Sequence, residues 1–90
     1  MIITFLGTGT SQGVPLINCD CTVCTSEDPR NKRLRTSISV QTGDATILID
    51  TTPDLRQQLL MNPISKLTAV HYTHCHADHI YGLDDVRRFN

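Results

Sequence analysis

The chain has 90 residues, 39% of them hydrophobic and 19% charged, with a formal net charge of -1, and this length makes at most one small domain, one that buries only roughly 60 to 65 per cent of its unfolded surface. The near-neutral balance gives no overall field to steer nucleic acid or an anionic membrane, so any anion must be captured by a local site. The opening Met1–Gly7 lacks the basic start and apolar length of a signal peptide, and no stretch approaches the ~18 apolar residues of a membrane span, so a cytoplasmic globular chain without a membrane partner is expected.

Ile2 to Leu6 is a short apolar run stopped by Gly7, which predicts a buried first strand. Gly7 to Pro15, rich in Gly, Thr and Ser, reads as a loop. Asn18 to Arg35 has little periodicity but carries three cysteines and the basic run Arg30-Asn31-Lys32-Arg33-Leu34-Arg35, an excursion that needs a staple. Ser37 to Thr42 predicts a strand with Ile38 and Val40 on a buried face and Ser37, Ser39 and Gln41 on a polar one. Gly43-Asp44 then turns the chain into Thr46 to Asp50, whose apolar residues on both faces predict an internal strand. Thr52-Pro53-Asp54 predicts a helix start with Thr52 as N-cap, Leu55 and Leu59 share one face, and Asn62-Pro63 ends the helix. Leu67 to Thr73 predicts a further strand, and Ile80 to Phe89 has helical spacing at Leu83 and Val86 or Arg87. The order of elements is α/β, with no internal repeat and no second domain.

Two clusters carry chemistry. His74, His76, Asp78 and His79 place four metal-ligating side chains in six residues directly after a strand. Alternation in an extended chain sends His74 and His76 to one side, where they can share an ion, while Cys75 points away; Asp78 and His79, past the small Ala77, can address a second ion at the ~3.5 to 4 Å separation of two-metal hydrolases. Upstream, Cys19, Cys21 and Cys24 form a cluster that, without a signal peptide, favours metal over disulfide; three thiolates fall one short of a closed structural zinc site.

Other features are weighed down. Gly7-x-Gly9-x-x-x-Gly13 leads into Val14-Pro15 rather than a helix, which rejects a dinucleotide fingerprint, and no Gly-Lys-Ser/Thr follows, which rejects a P-loop; its amides either orient a phosphate or make a plain turn. The basic run reads as a solvated face, and His71 as a core residue or a support behind the ligands. Asp84 and Asp85 either support a ligand histidine or give up a proton to a leaving group, and Asp84 with Arg88 equally makes an ordinary i,i+4 pair.

His-x-His-x-Asp-His after an apolar strand, followed by Gly82, resembles the signature of the metallo-β-lactamase superfamily. The resemblance implies His74 and His76 as ligands of one metal, Asp78 and His79 as ligands of the other with Asp78 the catalytic carboxylate, and Asp50 as the acid that braces the metal loop, although from the residues alone Asp50 is also a plausible turn residue. Phe5 to Pro15, the cysteine cluster and Gly82-Leu83-Asp84-Asp85-Val86-Arg87 are similar to the branch containing the phosphoribosyl cyclic phosphate phosphodiesterases. Ribonuclease Z resembles the glycine loop and the histidine motif but lacks the cysteines; the pyrroloquinoline quinone biosynthesis protein B has a cysteine cluster of this kind. The resemblance implies the amino-terminal half of an αβ/βα sandwich, with residues 1–90 a partial domain whose fourth cysteine-site ligand, further histidines and bridging aspartate lie elsewhere.

The implied activity is hydrolysis of a small phosphodiester by a hydroxide bridging two divalent ions, zinc or manganese, with a structural zinc at the cysteines. The alternatives are a non-catalytic metal-binding fragment and, ranked below on the missing cysteines, a ribonuclease Z-like RNA-processing enzyme. A half-fold exposes its sheet and helix faces, so self-association or pairing with a missing carboxy-terminal half is expected.

Overall fold

A computed structural model describes residues 1–89 of the chain. Strands β1 (Ile2–Gly7), β2 (Ser37–Thr42), β3 (Ala45–Ile49) and β4 (Ala69–His71) form one sheet in the order β1-β2-β3-β4. The first two pairings are antiparallel and the last parallel. Antiparallel neighbours need only the tight turn at Gly43-Asp44, whereas the parallel pair needs a crossover, supplied by helix α1 (Leu55–Met61). Gly43 sits at φ 56, where glycine avoids the Cβ clash of the left-handed region. Beyond β4 come a four-residue helix α2 (Ala77–Ile80) and a 3-10 segment, Leu83–Phe89. The expected α/β class and the interior position of β3 are both found.

The sheet buries the face that its residue pattern did not select. Ser37 and Ser39 are each 2% exposed, whereas Ile38 and Val40 are only half-buried. The reason is local pairing: the Ser37 hydroxyl donates to the Ile49 carbonyl at 2.9 Å, with the Asp50 carbonyl 3.2 Å away sharing the same hydrogen, so it is satisfied where it is buried. Leu48, opposite Ser39, shares that inner face and meets Leu6 and Leu55, with Leu59, Leu67, Val70 and Val86 packed around them. The outer face carries Ile3, Phe5, Ile38, Val40, Ile47 and Ile49 in register, and no described residue packs over it as α1 does over the inner one. Strand β1 is accordingly an exposed edge, with Phe5 70% exposed, and not the buried strand its composition suggested. His71 pairs with Ile49 on this outer face and is exposed, which corrects its reading as a core residue.

Two helical expectations change. The N-cap of α1 is Asp54, whose side chain makes no cap bond, because it is engaged by Arg35 through the backbone N–H (2.9 Å) and the guanidinium (2.9 Å). Thr52 stands two residues earlier; its hydroxyl accepts from the Asp54 N–H at 3.1 Å and donates to Gln58 at 2.9 Å. The predicted Ile80–Phe89 helix is broken at Gly82, whose N–H donates to the Thr51 carbonyl at 2.9 Å, away from the helical direction. Gly82 is buried so close to the Thr52 carbonyl that an added Cβ would collide with it. In the tighter 3-10 winding that follows, residues three apart eclipse, so Asp84 pairs with Arg87 at 3.3 Å and not with Arg88.

Candidate metal centre

The histidine segment is hung from the end of β3. Asp50, just past that strand, is 3% exposed and adopts φ 66, a left-handed conformation that Asp tolerates better than most residues. This turn aims its carboxylate across to the segment after β4. Oδ1 accepts the Thr73 backbone N–H at 2.8 Å, and Oδ2 accepts the Thr73 hydroxyl at 2.8 Å. Oδ2 also lies 2.8 Å from Nδ1 of His79. Burial by itself would raise the Asp50 carboxyl, but the Thr73 amide, the Thr73 hydroxyl and His79 together hold it below the ordinary carboxylate range. Asp50 is therefore tied to Thr73 and His79 by hydrogen bonds and is not a free turn residue. The backbone reinforces it: Thr51, fully buried, donates its N–H to the His79 carbonyl at 2.8 Å and its hydroxyl to that of Ile80 at 3.1 Å.

An ionised carboxylate only accepts, so Nδ1 of His79 carries a proton toward Asp50, which leaves Nε2 as the ring atom turned toward Asp78. Nε2 lies 2.9 Å from Oδ2 of Asp78, a direct contact between the two side chains. The ring centroid of His74 is 4.0 Å from that of His79 and 4.5 Å from that of His76. Three imidazoles and one carboxylate thus lie near one another beyond the carboxyl ends of β3 and β4, and both ligand types suit a divalent ion such as zinc or manganese. Cys75, between two of the histidines, is exposed.

The cysteine cluster is the tighter of the two. Among the described residues it is the one group of three such side chains whose ligand atoms all lie within 4.8 Å of one another. The Leu16 N–H donates to the Cys24 sulfur and the Cys24 N–H to the Cys21 sulfur, both at 3.4 Å, which fixes the loop around the thiols. The Cys24 amide, followed by the Cys19 side chain, lowers the Cys21 thiol to about 7. Cys24 is raised: the Leu16 amide pulls it down, but neighbouring Cys19 and burial outweigh that pull. The donor set fits a thiophilic metal with one position left for a fourth ligand.

Other expected residues fall elsewhere. The Asp84 carboxylate faces Arg87, and among the described residues no hydrogen bond joins it to the histidine segment. The basic run is consumed internally: Arg30 pairs with Asp28 at 2.7 Å, Lys32 donates to the Ser26 carbonyl at 2.7 Å, and Arg33 donates to Thr8 at 2.9 Å. Arg35 donates to the Ser11 carbonyl at 2.8 Å, so the run clamps the glycine loop. Gln58, fully buried, completes the clamp by donating to the Arg35 carbonyl at 2.8 Å. Sequence reasoning singled out neither Gln58 nor Thr73. A glutamine amid the apolar positions of a short helix and a hydroxyl directly before the first histidine were the available signals.

The comparisons with known proteins agree with this picture. The model of the β-lactamase superfamily domain matches residues 45–90, half of the chain and the half that holds the histidine segment. A solved diphosphatase of the PhnP family superposes with a TM-score of 0.93 at 59% identity, over 97% of this chain and 34% of that one. Zinc-bound PqqB from Methylobacterium extorquens gives a TM-score of 0.82 at 31% identity, again over 97% of this chain and 34% of that one. The octanoyltransferase of Porphyromonas gingivalis is 54% identical over 83 residues, 91% of this chain and 17% of that protein. The chain thus spans about a third or less of the length of these relatives. The likeness to the PhnP-family structure agrees with the branch indicated by the glycine loop and the cysteines, and PqqB shares the metallo-β-lactamase fold with this chain.

Proposed function

This chain belongs to the β-lactamase superfamily, and we propose that its histidine segment is one half of a dinuclear centre for hydrolysing phosphodiesters. The observation that carries the reading is the convergence described above: Nε2 of His79 and Oδ2 of Asp78 lie 2.9 Å apart, with His79 held from behind by Asp50. In this reading His74 and His76 hold one ion, and Asp78 and His79 hold the other. Bound divalent ions would supply a nucleophile from water at neutral pH and neutralise charge on the phosphoryl oxygens. The chain's own part is orientation: Asp50 fixes the His79 ring, and Thr51 ties the backbone of α2 to the end of β3. Similarity to a PhnP-family diphosphatase supports a phosphorus ester or anhydride as the substrate class, and the small phosphodiester is the expected form. The cysteines would hold a separate, structural zinc.

A second reading is favoured by one observation. Among the described residues the histidine segment does not bring three donor atoms within 4.8 Å of one another, whereas the cysteines do. A catalytic zinc takes about three protein ligands and a water. On this reading the 90-residue chain binds metal without turnover, and further ligands come from a second polypeptide or from additional chain. Incubating the purified chain with bis-p-nitrophenyl phosphate and added zinc or manganese separates the two. Turnover that vanishes in His76→Ala supports the hydrolase, whereas metal retained without turnover supports the binding fragment.

A further inference from the structure

We propose that Thr73 is a positioning residue that holds His74 in the tautomer with its proton on Nδ1, so that one carboxylate, Asp50, exposes the Nε2 atoms of two neighbouring histidines. The Thr73 hydroxyl lies 2.8 Å from Oδ2 of Asp50 and 2.8 Å from Nδ1 of His74. A hydroxyl has a single hydrogen, and an ionised carboxylate has none. The Thr73 hydrogen therefore goes to Asp50, and the second contact can form only if the N–H of His74 donates to the Thr73 oxygen. The same Oδ2 accepts the Nδ1–H of His79 at 2.8 Å. Asp50 thus sets the tautomer of His79 directly and that of His74 through one intervening hydroxyl. Each ring then turns Nε2 away from Asp50, that of His79 toward Oδ2 of Asp78 at 2.9 Å, and the two ring centroids are 4.0 Å apart. Thr73 is exposed, so the apolar body of the side chain is not needed to fill a core. Its backbone N–H binds Oδ1 of Asp50 independently of the side chain, which lets the hydroxyl be removed without detaching the loop.

The proposal rests on the reading of His74 as a metal ligand, and its test reads the two separately. Thr73→Val keeps the shape and removes the hydroxyl; Thr73→Ser keeps the hydroxyl. Ring-nitrogen NMR of the metal-free chain, at a pH well above the ~6.5 of an ordinary histidine, reports each tautomer. Wild type and Thr73→Ser are expected to show His74 protonated on Nδ1. Thr73→Val is expected to move His74 to a mixture with the Nε2-protonated form while leaving His79, held directly by Asp50, unchanged. Zinc affinity should fall roughly 10- to 100-fold in Thr73→Val and recover in Thr73→Ser. A His74 already protonated on Nε2 in wild type, or unmoved in Thr73→Val, overturns the proposal whatever zinc does, and the wild-type spectrum decides even if Thr73→Val does not fold. A shifted tautomer with unchanged zinc affinity upholds the role of Thr73 and counts against His74 as a ligand.

Discussion

Asp50 and Cys21 show how far a single residue's chemistry depends on its neighbours. Both were legible as candidates, the acid by its place at the end of a strand and the thiol by its spacing. Their tuning was not legible, because it comes from amides brought close by folding: Thr73 reaches Asp50 from 23 positions away, and the Cys24 amide lowers Cys21 to about 7. The thiolate is the reactive form, so the Cys21 group is nucleophilic above that value and loses reactivity as pH falls through it. In the metal-free chain, the rate of Cys21 alkylation by iodoacetamide should rise with a midpoint near pH 7, clearly below the ~8.5 of an unperturbed thiol. Peptide mapping of the modified cysteine measures it; a midpoint at the unperturbed value refutes the tuning. Asp84 is the opposite case, since its proximity to the motif in sequence suggested a supporting role, and the 3-10 winding turns it to Arg87 instead.

At the level of elements, the extent of strand β2 though not its buried face, the Gly43-Asp44 turn and the end of α1 at Asn62 follow local rules and were read directly. The interior strand β3 and the strand β4 were read as well, and the misreadings fall where a tertiary contact overrides propensity. The Ile80–Phe89 pattern has helical spacing, yet Gly82 must lie against the Thr52 carbonyl and donate to Thr51, which ends α2 and resets the winding. Gly82→Ala should therefore displace α2 or the Thr51-Thr52 turn, with a loss of stability well above the ~1 kcal/mol that Gly→Ala ordinarily moves in either direction. Urea denaturation of the two proteins checks this, and an unchanged midpoint would show that the segment yields freely. The N-cap shifted from Thr52 to Asp54 for a similar reason: Arg35, from the other side of the glycine loop, recruits the Asp54 carboxylate and with it the start of α1.

For the molecule as a whole, the deciding quantity is how little is buried. Leu6, Leu48 and Leu55 make the centre of the core, while the outer sheet face, with Ile3, Phe5, Ile38, Val40, Ile47 and Ile49, has no described element over it. A contiguous apolar face of this kind drives association. The wild-type chain should scatter light as a dimer or larger species at micromolar concentration, and Val40→Lys, on that face and remote from the histidines, should shift it toward monomer. A compact wild-type monomer would overturn the expectation. What the sequence by itself determined is the class: the α/β order and the family marked by the histidine motif, the glycine loop and the cysteine spacing, all of which depend on residue type and short spacing. Only the tertiary structure decided which face of the sheet is inside, which side chains brace Nδ1 of His74 and His79, and that the basic run clamps the glycine loop. Those outcomes depend on partners distant in sequence, because a buried serine or a charged arginine is placed by the carbonyl or carboxylate that satisfies it.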